Sequence, residues 1–369
     1  MYSPKTEAEL AEIVASANGP LSVRGGNTRG MAGRGTPLDL SGLSGIETYE
    51  PGALTLVVRA GTPLEQVEAA LAAEGQRLAF EPADYRGLLG TDGTPTIGGV
   101  FAAGISGPRR IAVGAARDFA LGVRFVDGTG RVVKNGGRVM KNVTGYDLVK
   151  LQCGARGSLG VLTEIALKVL PVPETAASVM LLGQSPEGAV QAMARALGSP
   201  FEVTGAAYSP CGLDGTPVTA LRVEGFAGSV SYRAAQLAGL FPEAEVQVED
   251  YPAKVAAGWA MIRDCKTLQG VEGDIWRLSV KPSDAPAVLQ SLAPQHYLLD
   301  WAGGLIWAAV PAGTDVRAAM HVPGHATRVR GAGPGPQVHP ADAGVARLEA
   351  GLRAQFDPRG LFSAQLTEV

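Results

Sequence analysis

Along the first 170 or so residues, apolar positions switch repeatedly between helical and strand spacing, and short glycine groups mark the changes. Leu10, Ile13, Val14 and Ala17 recur at helical intervals behind Thr6 and Glu9, which fit a capping box, so a helix is predicted there. Leu21 to Arg24 reads as a strand that runs into Gly25, Gly26, Asn27, Thr28, Arg29 and Gly30. A second β-rich run, Leu54 to Val58, precedes a predicted helix with Thr62 as N-cap, Pro63 at the first position, Glu65 completing the box and Gly75 after the end. Residues 90–116 are rich in glycine and lack regular periodicity. From Ala120 the pattern predicts a hairpin, LGVRFV and RVV around Asp127-Gly128-Thr129-Gly130. Gly157-Ser158-Leu159-Gly160 then enters the strand VLTEIALKVL, which Pro171 and Pro173 end, and a domain boundary is placed after residue 173.

Residues 174–330 change character. Helix-like stretches at 186–197 and 231–240 alternate with VTALRVEGF, IWRLSV and LIWAAV, which predicts a small antiparallel α+β domain of strands backed by two helices. GAGPGPQ at 331–337 reads as a linker, and ARLEAGLRAQF as an amphipathic helix in a segment, 331–369, that returns to the first domain. The expected fold class is α+β.

Composition narrows the function. A chain of 369 residues with 46% hydrophobic and 18% charged residues suits two globular domains. A net charge of −3 without a Lys/Arg-rich run gives no footing for nucleic acid. No apolar stretch reaches the length of a transmembrane segment. Cys153, Cys211 and Cys265 lie too far apart in sequence to suggest a disulfide framework or an iron–sulfur cluster. With a polar, acidic N-terminus, these features point to a cytoplasmic chain, seated on the inner membrane, if at all, through partners.

Neither GxxxxGK[ST] nor a strand-to-helix GxGxxG is present, which removes the P-loop and the Rossmann fingerprint. Arg24 to Gly30 can instead present backbone N–H groups to phosphate oxygens, and Thr96-Ile97-Gly98-Gly99 repeats the idea. Two such loops could grip a pyrophosphate from both sides; the alternative is that they are surface turns.

RGGNTRG, PTIGGVFAAGISGPRR, GAARDFALGVRFVDGTG and KNVTGYDLVKLQCGARGSLGVLTEIALKVLP occur in this order, and together they resemble the FAD-binding domain of the p-cresol methylhydroxylase / vanillyl-alcohol oxidase (PCMH-type) superfamily. VMKNVTGYDL, GSLGVLTE, IWRLSVKPSDAP, LLDWAGGLIW and GHATR extend the likeness, which is closest to the FAD-binding (E) subunits of bacterial glycolate oxidases. The resemblance implies a two-subdomain PCMH-type FAD-binding domain (1–173) followed by an α+β cap with an antiparallel sheet (174–330). It implies the pyrophosphate at Arg24, Gly25, Gly26, Asn27, Thr28, Thr96, Ile97, Gly98 and Gly99, and a loop crossing beneath the cofactor at Gly104, Gly107 and Gly114. Gly160 and Val161 would offer backbone groups, and Tyr146 and Asp147 would sit near the isoalloxazine unless they form a buried structural pair. All four histidines lie beyond residue 295, and Asn27 stands where covalent relatives carry histidine, so FAD is expected to be non-covalent. The implied partners are a larger FAD subunit, an iron–sulfur subunit and a small 2-hydroxy acid.

A reaction centre would need a base and cations for a carboxylate. HVPGHATRVR suggests His325 as the base and Arg328 as the carboxylate clamp, with Arg277 as a second cation; the alternative is a turn that packs the cap. His321 and His325 are separated by Pro323 and Gly324, with no nearby carboxylate or cysteine, so no metal site is expected. Three functions fit: an FAD subunit of a glycolate oxidase complex, a structural or regulatory subunit with non-catalytic FAD, or a stand-alone FAD-dependent hydroxy-acid or alcohol oxidoreductase.

Overall fold

The computed structural model describes residues 1–29, 33–138, 145–212 and 214–362. Gly30 and residues 139–144, the start of the VMKNVTGYDL motif included, lie outside the described residues.

The first helix, Glu7–Ser16, starts where the capping residues placed it: the Thr6 hydroxyl accepts from the Glu9 N–H, and Leu10 and Val14 are buried. Leu21–Arg24 pairs in parallel with Thr36–Asp39 as a small two-stranded sheet. Beside it stands a five-stranded antiparallel sheet in the order Ile46–Glu50, Thr55–Arg59, Val161–Lys168, Ala120–Val126, Val132–Gly136. The expected hairpin forms its last two strands. Asp127 closes the turn by accepting from the Thr129 and Arg131 N–H groups.

Two local expectations are corrected. Thr62 does not cap the Leu64–Ala73 helix, whose N-cap is Pro63; the Thr62 hydroxyl instead bonds Gly45 (2.9 Å from its N–H) and the Arg59 carbonyl (2.7 Å). The glycine-rich stretch holds a helix, Ile97–Ala103, capped by Thr96. Glycine is a poor helix former, but Gly98 lies against the Thr55–Arg59 strand's end, where a Cβ would come within 2.6 Å of the Ala60 carbonyl. Packing overrides propensity there.

The second sheet has eight antiparallel strands: Glu245–Glu249, Thr175–Leu182, Val218–Gly225, Gly205–Ser209, His296–Asp300, Leu305–Val310, Asp274–Val280 and Gly324–Arg330. Three helices, Pro186–Leu197, Ala227–Gly239 and Ala285–Leu292, bury their apolar faces against one side of it. A fourth, Pro252–Arg263, covers part of the other side through Val255 and Trp259. The expected two-helix backing was too few: it lacked 285–292 on the first side and 252–263, whose apolar stripe is weak, on the other. The rest of that side packs on the first domain: Ala83, Tyr85 and Leu88 join Ile275, Leu298 and Trp307 in one core.

Buried ions clasp the same junction. Arg222 of the second sheet makes a bidentate pair with Glu81 (2.9 and 3.0 Å), and Glu224 pairs with Arg77 (2.8 Å) and Arg109. Burial raises the Glu224 pKa, but Arg222, Arg109 and Arg77 outweigh it and hold the carboxyl at about 2.

Residues 331–337 are not a free linker. The Arg328 guanidinium donates to the Gly333 and Gly335 carbonyls, and Asp274 accepts from the Ala332 N–H. The helix Ala343–Phe356 follows, after which Gly128 N–H donates to the Phe356 carbonyl and Leu361 and Phe362 enter the core around Leu10 and Leu21.

Candidate functional site

Two concave regions adjoin between the sheets, sharing Arg29, Ala103 and Arg156 in their walls. The first is a cleft whose floor is the segment following Leu21–Arg24. Its wall includes Arg24, Gly25, Gly26, Asn27 and Thr28, faced by Thr96, Gly98 and Gly99 and closed by Gly157, Gly160 and Leu162. Asn27 adopts a left-handed backbone (φ +53°), which turns successive amides in different directions. The N–H groups of Gly25, Gly26, Asn27, Thr28 and Arg29 donate to no other described group. Five open amides in one loop form an anion cradle. Arg24 has no carboxylate partner among the described residues and bonds only the Ser22 hydroxyl through Nε (3.2 Å).

The facing helix start contributes differently from the expectation of a second amide loop. The Ile97 N–H donates to the Thr62 carbonyl (3.0 Å), the Gly98 N–H to the Ala60 carbonyl (2.8 Å) and the Gly99 N–H to its own cap, Thr96 (3.2 Å). Those amides are satisfied, and Ile97 is wholly buried in the core. What this side offers is a close, bare surface: a Cβ on Gly99 would meet only the Thr96 hydroxyl and otherwise project into open space. A cradle filled by any Cβ on one side and lined with open donors on the other fits a dinucleotide pyrophosphate.

The remaining expected residues divide. Gly160 lines the cleft and Gly104 the neighbouring cavity. Gly107 lies at the domain junction, where its carbonyl accepts from Trp301 Nε1 (3.0 Å). Gly114 (φ +91°) packs against Asp118, and Val161 is buried in its strand; neither lines the two regions. Tyr146 is 86% exposed, and Asp147 caps the Leu148–Gln152 helix by accepting from the Lys150 N–H (3.1 Å). Neither lines the cleft or the cavity, and the pair is not buried.

The second region is a cavity of about 270 Å³, near the small end of ligand pockets. Its walls carry Arg29, Arg110, Arg117, Arg156, Arg277 and Arg328 beside Tyr85, Cys153 and Trp307, with no aspartate, glutamate or histidine among the described residues that line it. Arg29 donates Nη2 to the Ala83 carbonyl (3.1 Å) and lies over the Tyr85 ring, while its buried Nη1 finds no acceptor among the described residues. Burial lowers the pKa of Arg29. Burial lowers that of Arg110 as well, and the like charge of Arg277 adds to it. Burial also keeps the Cys153 thiol protonated, with its pKa pushed up to about 12.

Strand parity sorts the three expected reaction-centre residues. Arg277 and its cross-strand partner Thr327 face the cavity. Arg328 pairs with Trp276 on the opposite, helix-covered face, where its guanidinium lies over the Trp276 ring and bonds carbonyl groups. Its guanidinium thus clamps residues 331–337, while Arg328 also forms part of the cavity wall. His325 is exposed at the strand's start, stacked edge-on to His339 (5.3 Å), and does not line the cavity. Arg277 and Arg328 both line the cavity, the Arg328 guanidinium being held by the Gly333 and Gly335 carbonyls, whereas His325 does not. The arginines at 110, 117 and 156 were missed, although 109, 110, 117 and 118 carry the only charges in an otherwise apolar, glycine-rich stretch, 97–119.

No helix among the described residues is long and apolar enough to cross a membrane, and no group of His, Cys, Asp and Glu side chains among them could hold a metal ion.

Comparison with known proteins agrees with this geometry. Residues 1–136 match the FAD binding domain family. The fold superposes on alkyldihydroxyacetonephosphate synthase with a TM-score of 0.70 over 100% of this chain and 76% of that one, at 16% identity, a likeness of fold alone. Over 96 residues, 26% of this chain and 20% of the relative, it is 36% identical to the glycolate oxidase subunit GlcD of Bacillus subtilis (strain 168). It is 38% identical to the glycolate oxidase subunit GlcE of Escherichia coli (strain K12), spanning 93% of this chain and 91% of the relative. An FAD-binding α+β domain with an antiparallel cap, in a family of FAD-dependent oxidoreductases, is thus in hand, and the chain belongs to the family of the glycolate oxidase subunit GlcE.

Proposed function

We propose that this chain is the FAD-binding subunit of a glycolate oxidase complex, holding FAD non-covalently in the Arg24–Thr28 cleft and drawing the carboxylate of a small 2-hydroxy acid into the arginine-lined cavity beside it. The observation that carries this reading is the adjacency of five open loop amides to a cavity walled by guanidinium groups. The amides of Gly25 to Arg29 and the Arg24 guanidinium would receive the pyrophosphate, and the bare backbone at Gly98 and Gly99 would let the cofactor approach. Bound FAD supplies a two-electron acceptor. Arg277 would take the carboxylate, since a guanidinium matches it bidentately and here has no competing acid within ion-pair distance among the described residues. Trp307 would add an apolar wall beside it. Its relatives are named as glycolate oxidase subunits, which supports work beside partner subunits; on this reading they would be a larger FAD subunit and an iron–sulfur subunit.

The purified chain should be yellow and should release FAD on acid precipitation. Anaerobic glycolate should bleach the flavin when the partner subunits are present. Protein that stays colourless after incubation with FAD sinks the proposal; bleaching as fast without partners would make the chain a stand-alone oxidoreductase.

A further inference from the structure

Arg110 of the first domain and Arg277 of the cap converge on one indole. The Arg110 Cζ lies 4.5 Å and the Arg277 Cζ 5.2 Å from the Trp301 ring centre, so the two cations are no farther apart than the sum of these distances. Neither guanidinium has a hydrogen-bonded acceptor or an acid within ion-pair distance among the described residues, and both line the cavity. Two like charges held this close repel one another, and desolvation adds to the cost.

The turn that holds the indole is itself strained. Trp301 and Ala302 both have left-handed backbones (φ +52° and +58°), a conformation costly for residues with a Cβ and kept where surrounding structure imposes it. Trp301 Nε1 donates across the domain junction to the Gly107 carbonyl, and the Asp300 carboxylate accepts from the Trp301 N–H (2.7 Å). Trp301 thus stands behind the cavity wall, pinned from both domains, with a cation from each against its ring.

We propose that the cavity binds a small organic acid bearing two anionic groups, one held by Arg277 and the other by Arg110, with Trp301 as the positioning residue that sets the two guanidinium groups for a dianion. This rests on the reading of the cavity as the acid site and specifies its ligand. A single carboxylate neutralises one of the two cations; a second carboxylate or a phosphate neutralises the other and relieves their repulsion. Arg110 comes from the flavin domain and Arg277 from the cap, so the ligand also bridges the two domains.

The test is calorimetric titration of the FAD-loaded protein, at fixed ionic strength, with glycolate, malate and phosphoglycolate. At least one dianion should bind about 10-fold or more tightly than glycolate, the effect of one added charge-assisted contact. Tight malate identifies a second carboxylate, tight phosphoglycolate a phosphate. Arg110→Gln should weaken the preferred dianion about 10-fold more than it weakens glycolate. Trp301→Leu should do the same, with selectivity recovered in part by Trp301→Phe, which keeps an aromatic face. If Trp301→Leu fails to fold, Arg110→Gln alone decides. Equal affinity for all three acids, or an equal loss for all three in Arg110→Gln, overturns the proposal. Protein that takes up no FAD overturns the flavin reading instead, and the titration of that protein still reports on the anion site.

Discussion

The proposed flavin cleft and the arginine cavity share three wall residues but would recognise anions in opposite ways. The cleft uses main chain: consecutive residues 25–29 leave their amides open, and glycines keep side chains out of the way. The cavity uses side chains: guanidinium groups from positions 29, 110, 117, 156 and 277 arrive from separate segments and two domains. Backbone recognition is a local property, so a single substitution that adds a Cβ can destroy it. Side-chain recognition is distributed, so it is degraded one arginine at a time and depends on how the domains are clasped.

The sharpest way to break the contrast is Gly99→Val. The added side chain meets little protein and points into the cleft, so FAD binding should be lost, by about 100-fold or more, with the melting temperature nearly unchanged; spectra of gel-filtered protein and a thermal melt check this. Gly26→Val should also abolish FAD binding, but there a Cβ would strike the Thr94 carbonyl, so stability falls as well.

Next in size is the clasp on which the cavity depends. Glu224→Gln leaves Arg109 and Arg222 buried without their shared carboxylate, and should cost about 3–5 kcal/mol in a urea titration. Its pH signature follows from the depressed carboxyl. Glu224 contributes its full stabilisation above the ordinary carboxylate pKa of 4.5 and loses it as pH falls toward about 2. The wild-type protein should therefore lose more stability than Glu224→Gln between pH 5 and pH 3.

Asp300 behaves in the opposite sense. Burial raises its pKa to about 7 despite the Trp301 N–H, so the folded protein holds a proton that the unfolded chain releases. Stability should fall as pH rises from about 4 through 7, and Asp300→Asn should flatten that slope between pH 5 and pH 8. An unaltered slope would remove Asp300 as its source.

The smallest effect is expected at Tyr146. Its exposed ring lies outside both lined regions, so Tyr146→Ala should change FAD affinity less than about 2-fold by fluorescence titration. A large loss would return this residue to the flavin site.

Much of the fold was legible because it is locally encoded. Thr6 caps the first helix, the LGVRFV hairpin closes on Asp127, and the strands at 161–168, 274–280 and 305–310 follow their apolar runs. Thr62 misled because its hydroxyl has a stronger claim on Gly45 and Arg59 than on a helix already begun by proline. The Ile97–Ala103 helix was hidden because its glycines lower helix propensity while serving close packing on Ala60. The C-terminal segment's glycine and proline content suggested a linker, yet Arg328 and Asp274 hold it.

By itself, then, the sequence determined that a glycine loop leaves the first strand, that no P-loop or Rossmann signature is present, and that no histidine lies in the first domain. These depend on residue identity and neighbours in the chain. Only the tertiary structure decided which amides stay open: those of 25–29 find no partner among the described groups, whereas those of 97–99 are bonded to Thr62, Ala60 and Thr96. It also decided which guanidinium turns to the cavity side and which to the helix-covered face. In a strand, successive side chains point to opposite faces, and the register that sets Thr327 opposite Arg277 on the cavity side turns Arg328 toward Trp276.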